Sequence, residues 1–143
     1  MTPTGSALRR SSRLAAALLV VVAVAGCSNR TSAVNRRPQS GATTAAVENG
    51  VQQITVTADD KYRFTPDMIT VHPGRVQVTL VNKGKGAPHN LSVTGFPADF
   101  VPLATAGQTT IATFTAPAPG RYQFVCTIHI RQGQTGTLVV LAN

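Results

Sequence analysis

The stretch RYQFVCTIHIRQGQTGTLVV, residues Arg121 to Val140, reads as two β-strands joined by a short loop. That loop carries one cysteine, one histidine and one glutamine, at Cys126, His129 and Gln134. Side chains alternate faces along an extended strand, so Tyr122, Phe124 and Cys126 share one face while Gln123 and Val125 share the other. The aromatic face belongs inside, which ends the first strand with the Cys126 sulfur pointing into the protein. His129 follows after two intervening residues. Gln134 follows after four more intervening residues, just behind Gly133 and ahead of Gly136. A loop this short can gather three donor atoms around one point, provided a fourth arrives from elsewhere in the chain.

His89, in KGKGAPHNLSV from Lys83 to Val93, is that fourth group. A Gly/Lys/Pro loop delivers it to the start of a strand in which His89, Leu91 and Val93 share the inner face. Two imidazoles, one thiolate and a weak axial donor form the donor set of blue-copper electron-transfer centres, which serve both Cu(I) and Cu(II). One copper ion held by His89, Cys126, His129 and Gln134 is therefore the expected cofactor.

The same alternating pattern recurs upstream. Strands are expected at Gln53–Ala58, Met68–Val71, Arg75–Asn82, His89–Thr94, Thr109–Thr115, Arg121–Cys126 and Thr135–Leu141. They are short, rich in β-branched residues and separated by turn signals such as HPG at 72–74, GKG at 84–86 and PAPG at 117–120. About seven such strands with no long amphipathic helix predict an all-β sandwich occupying residues 51–143. The run Gly95–Gly107 lacks a period and reads as a helical turn or a covering loop. His72, before Pro73, reads as a surface histidine, and Met68 as a strand residue remote from the ligand loop.

From about Val51 to Asn143 the chain resembles the cupredoxins, with ligand loops most similar to the plastocyanin type. The resemblance rests on FTPDMITVHPG, on the PHN at Pro88–Asn90, and on TAPAPGRYQFVCTIH with the closing GTLVV. It implies a Greek-key β-sandwich and a carrier of single electrons rather than an enzyme. The family pattern C-x2-H-x4-M-x-G here reads Cys126, His129, Gln134 and Gly136. Glutamine at the axial position is similar to the stellacyanin branch. The resemblance also implies that Asn90 ties the two ligand loops together by hydrogen bonds, and that His129 is the ligand whose edge reaches the surface, with Ile130 as part of an apolar rim.

The first 26 residues read as an export signal: Arg9, Arg10 and Arg13 precede an apolar run from Leu14 to Ala25. That run is too short for a spanning helix, which needs about 20 residues. It ends at VAGC, which resembles a lipoprotein cleavage box and makes Cys27 the lipidated residue. Residues 27–50, rich in Ser, Thr, Ala and Asn, then read as a flexible tether. The expected location is the extracytoplasmic face of a membrane. The chain has two cysteines, so with Cys27 lipidated Cys126 has no disulfide partner. An inert buried thiol, or a bridge from Cys27 to Cys126, is the alternative to metal binding.

Without the three signal arginines the formal charge falls from +8 to +5. Aromatics are sparse and no nucleic-acid motif is present, which argues against nucleic-acid binding. Lys83, Lys85 and Arg131 cluster near the ligand loops and favour an acidic redox partner. A monomer is expected. A copper scavenger or chaperone using the same donors to deliver copper is the second functional reading, with copper-trafficking proteins as partners.

Overall fold

The computed structural model describes Met1 and residues 39–143. The signal segment, Cys27 and the first part of the tether lie outside the described residues. Among the described residues no helix is long and apolar enough to cross a membrane.

Among the described residues eleven strands build two sheets. They are β1 (Ala42–Thr44), β2 (Ala46–Glu48), β3 (Val51–Asp59), β4 (Arg63–Thr65), β5 (Met68–Val71) and β6 (Arg75–Asn82). After these come β7 (His89–Val93), β8 (Phe96–Ala104), β9 (Thr109–Thr115), β10 (Gly120–Val125) and β11 (Thr135–Val140). One sheet runs β1-β5-β11-β10-β7-β8, and the other β2-β3-β6-β9 with β4 beside β3. All seven strands expected from the sequence are present, within two residues at each end. Their alternation is what buries them. In β6, Val76, Val78, Leu80 and Asn82 are buried while the residues between are half-buried.

The core lies between the sheets. Ile54, Val56 and Leu80 from one sheet and Leu91, Val93, Phe124 and Leu138 from the other belong to one cluster of buried side chains. Phe64 and Phe124, each about 1% exposed, pack with ring centroids 5.3 Å apart. Burying such a side chain fully contributes about 1.5–3 kcal/mol.

Two expectations from the sequence need correcting. Residues 42–48 are not tether: β1 adds to β5 in parallel, with Thr43 opposite Ile69, and β2 pairs antiparallel with β3. Ser40 extends the attachment, its amide donating to Asp67 at 2.8 Å and its hydroxyl to the Phe64 carbonyl. Both strands sit at sheet edges with exposed or half-exposed side chains, so no apolar period marks them. Their stabilisation is backbone pairing. The irregular stretch after Gly95 is the long strand β8, paired with β7 through register shifts that break its alternation.

Candidate metal centre

The four residues singled out from the sequence all lie at one end of the larger sheet. His89 opens β7, Cys126 follows β10, and Gln134 precedes β11. Because β10 pairs with both β7 and β11, these positions come together. The loop between Cys126 and Gln134 is tied into a tight turn. Cys126 N donates to the Gln134 carbonyl at 3.0 Å, and His129 N to the Cys126 carbonyl at 3.2 Å. A single 3-10 turn, Ile130–Gln132, ends at Gly133 with φ 78°, a left-handed conformation that glycine adopts without a Cβ clash.

Donor atoms of His89, Cys126 and His129 all lie within 4.8 Å of one another. Cys126 Sγ is 3.5 Å from His129 Nδ1, and the two imidazole centroids are 5.0 Å apart. His89 Nδ1 lies 2.8 Å from Gln134 Oε1. Each Nδ1 therefore faces the cluster. Cys126, His89 and Gln134 are fully buried, whereas the His129 ring is half-buried and reachable from outside. Among the described residues Cys126 is a free, buried thiol.

Gln134 points inward, not to solvent. The Ala87 carbonyl, two residues before His89, accepts from Asn82 Nδ2 at 2.8 Å. Two polar atoms at the site, His89 Nε2 and Gln134 Nε2, are buried with no hydrogen-bond partner. Leaving such a group unpaired costs about 1–3 kcal/mol. The atoms that face the cluster are others, two imidazole Nδ1 and the Cys126 sulfur, a donor set matched to a soft ion. The residues present fit copper. Burial pushes the His89 imidazole below its ordinary range, against the opposing effect of the Gln134 hydrogen bond. A neutral ring is the form that binds metal.

Asn90 joins the two ligand loops: its Oδ1 accepts from Thr127 N at 2.8 Å and its Nδ2 donates to Thr127 Oγ1 at 2.7 Å. Ile128 and Ile130, both about half exposed, flank His129 and form the apolar rim. His72 is exposed and Met68 lies in β5, both outside the cluster.

The turn Asp59–Tyr62 between β3 and β4 was not anticipated from the sequence. The Tyr62 ring lies 4.7 Å from that of His129 and 6.4 Å from that of His89. A lone tyrosine in a polar turn, after two aspartates, is the one sequence signal that could have marked it. The Asp60 carboxylate accepts from the amides of Lys85, Gly86 and Ala87. Those amides, Lys85 first, hold its carboxyl below the usual range. An acidic group therefore sits inside the cluster of Lys83 and Lys85, and the ligand end presents mixed rather than purely basic charge.

A family model described as a cupredoxin-like domain matches residues 15–140. No curated protein matches the chain. Among solved structures, the metal-binding domain of the Cu(I)-exporting P-type ATPase of Streptococcus pneumoniae D39, solved with Cu(I), aligns with TM-score 0.57. It is 20% identical over 73% of this chain and 100% of that domain. Auracyanin A, a blue copper protein from Chloroflexus aurantiacus, aligns with TM-score 0.56 at 24% identity, covering 64% of this chain and 99% of its own. Auracyanin from Roseiflexus castenholzii gives TM-score 0.54 at 21% identity over 63% and 97%. At these identities the likeness establishes a shared fold.

Proposed function

We propose that this chain, which belongs to the cupredoxin-like domain family, holds one copper ion and carries single electrons outside the cytoplasm. The observation that carries the reading is the convergence of His89, Cys126 and His129 donor atoms within 4.8 Å at one end of the core, with His89 and Cys126 buried and His129 half-buried. His89 Nδ1, Cys126 Sγ and His129 Nδ1 are the main ligands, with Gln134 Oε1 as the weak axial donor. Bound copper supplies a one-electron couple. The protein's part is to keep the donors fixed, so that little rearranges when the electron moves. The half-buried His129 ring, framed by Ile128 and Ile130, is the exit to a partner.

Voltammetry of the copper-loaded protein tests both the function and the axial donor. A reversible one-electron wave is expected. Gln134→Met should raise the potential, because a thioether is softer than an amide oxygen and favours Cu(I). Gln134 is fully buried and the replacement is similar in volume, so the fold should be retained. An unchanged potential would remove Gln134 from the ligand set and leave the other three in place.

Copper delivery is the second reading, and the accessibility of His129 favours it, since a ligand reachable from outside can be exchanged for one of a partner. Rapid passage of copper to an acceptor, with no reversible wave, would decide for delivery. We place the chain on a membrane through lipid on Cys27, supported by VAGC after the apolar run. Cells expressing Cys27→Ser should lose both fatty-acid labelling and membrane fractionation. A labelled Cys27→Ser protein would exclude this anchor.

A further inference from the structure

The strand pairing that forms the ligand end does not account for how the first ligand loop and the exposed histidine are held. His89 follows the run Gly84 to Pro88, whose one long side chain, Lys85, is exposed. His129 stands half-buried at the rim. The turn from Asp59 to Tyr62 touches both. On one side, Asp60 Oδ2 accepts from Lys85 N at 2.7 Å, and Oδ1 accepts from Gly86 N and Ala87 N, each at 3.2 Å. This close fit requires Gly84, where a Cβ would stand 2.4 Å from Asp60 Oδ1. On the other side, the Tyr62 ring lies against that of His129.

The turn is shaped for this purpose. Asp59 Oδ1 accepts from Lys61 N at 3.0 Å and Arg63 N at 3.3 Å, and its carbonyl accepts from Tyr62 N at 3.0 Å. These bonds hold Tyr62 at φ 56°, a left-handed conformation uncommon outside glycine. Strain of this kind persists where the surroundings over-determine it, and here it directs the ring toward the histidines. The Tyr62 and His129 rings meet tilted at 45°, and among the described residues no hydrogen bond engages the Tyr62 hydroxyl.

We propose that the Asp59–Tyr62 turn is a clip that holds both histidine ligands in place before metal arrives and retains the metal afterwards. Asp60 fixes the loop leading to His89, and Tyr62 fixes the His129 ring. Both are positioning residues. The proposal rests on reading His89 and His129 as ligands, but its first readout needs no metal.

The test compares wild type with Tyr62→Ala, Tyr62→Phe and Asp60→Asn. In the metal-free protein, side-chain NMR should show single, sharp imidazole resonances for both histidines in wild type and Tyr62→Phe. Tyr62→Ala should broaden His129. Asp60→Asn, which places an amide donor against backbone N–H groups, should broaden the amides of 85–87 and His89. Dispersed strand amides serve as the control that each variant is folded. With copper loaded, a Cu(I) chelator should strip Tyr62→Ala about 10–100-fold faster than wild type, the range typical of losing a group that orients a ligand. Tyr62→Phe should match wild type. Sharp His129 lines in Tyr62→Ala together with unchanged copper loss would overturn the clip, as would imidazole lines already broad in the wild type. Ordered, Tyr62-dependent imidazoles in a protein that binds no copper would uphold the clip and reject the metal reading.

Discussion

Copper-loaded Cys126→Ser protein should show no intense visible band, whereas copper-loaded wild type should show one. The band arises from charge transfer between a thiolate and Cu(II), so it depends on sulfur as a ligand rather than on the presence of copper. Cys126 Sγ is fully buried, 3.5 Å from His129 Nδ1, and among the described residues free of any disulfide. A serine hydroxyl stays protonated at neutral pH and is a hard, poor ligand for Cu(I). The expected loss is therefore complete. The fold should survive the change, because the local turn is held by backbone bonds from Cys126 N to the Gln134 carbonyl and from His129 N to the Cys126 carbonyl. Absorption spectra recorded at equal copper content, with stoichiometry measured separately, make the comparison. A wild-type protein with weak bands alone would rule out thiolate ligation at this site.

Gly136→Ala should destabilise the domain by about 1–3 kcal/mol or more, the cost typical of forcing extra volume into a packed core. A Cβ on Gly136 would stand 2.1 Å from Phe124 Cζ, 2.5 Å from its Cε2 and 2.7 Å from the Asp67 carbonyl oxygen. The first two atoms belong to a ring held against Phe64, and the third is backbone that already accepts from Thr137 N at 2.7 Å. Neither side has room to give. For a domain of this size each kcal/mol lowers the melting temperature by about 4–8 °C, so thermal unfolding of the metal-free protein reads the effect directly. Adding Phe124→Leu should recover part of the loss by removing the ring atoms, while the Asp67 carbonyl remains in the way. A Gly136→Ala protein as stable as wild type would mean that this packing is looser than its distances indicate.

Legibility followed the physical origin of each feature. The strands with one buried face, such as β3 and β6, declared themselves by alternation. The edge strands β1 and β2 could not, since their side chains face solvent and what holds them is pairing with β5 and β3. Strand β8 was hidden for a different reason: its register shifts against β7 break the period that identifies a strand. At the ligand end, Cys126, His129 and Gln134 were readable because they share one short loop. His89 was readable because a turn-rich segment leads directly into an alternating strand.

The chain by itself determined which candidate side chains meet at one end of the sheet, the inward direction of Cys126 and the sandwich that carries them, because spacing and alternation are properties of a covalent backbone in extended form. Tertiary structure alone decided that Gln134 faces His89 Nδ1 rather than solvent, that the Ala87 carbonyl is turned away to Asn82, and that Gly136 must lack a side chain. It also brought Tyr62 and Asp60 to the histidines from a turn on the opposite sheet. Contacts between residues this far apart depend on how two sheets pack across a core, and no local pattern of residues encodes that packing.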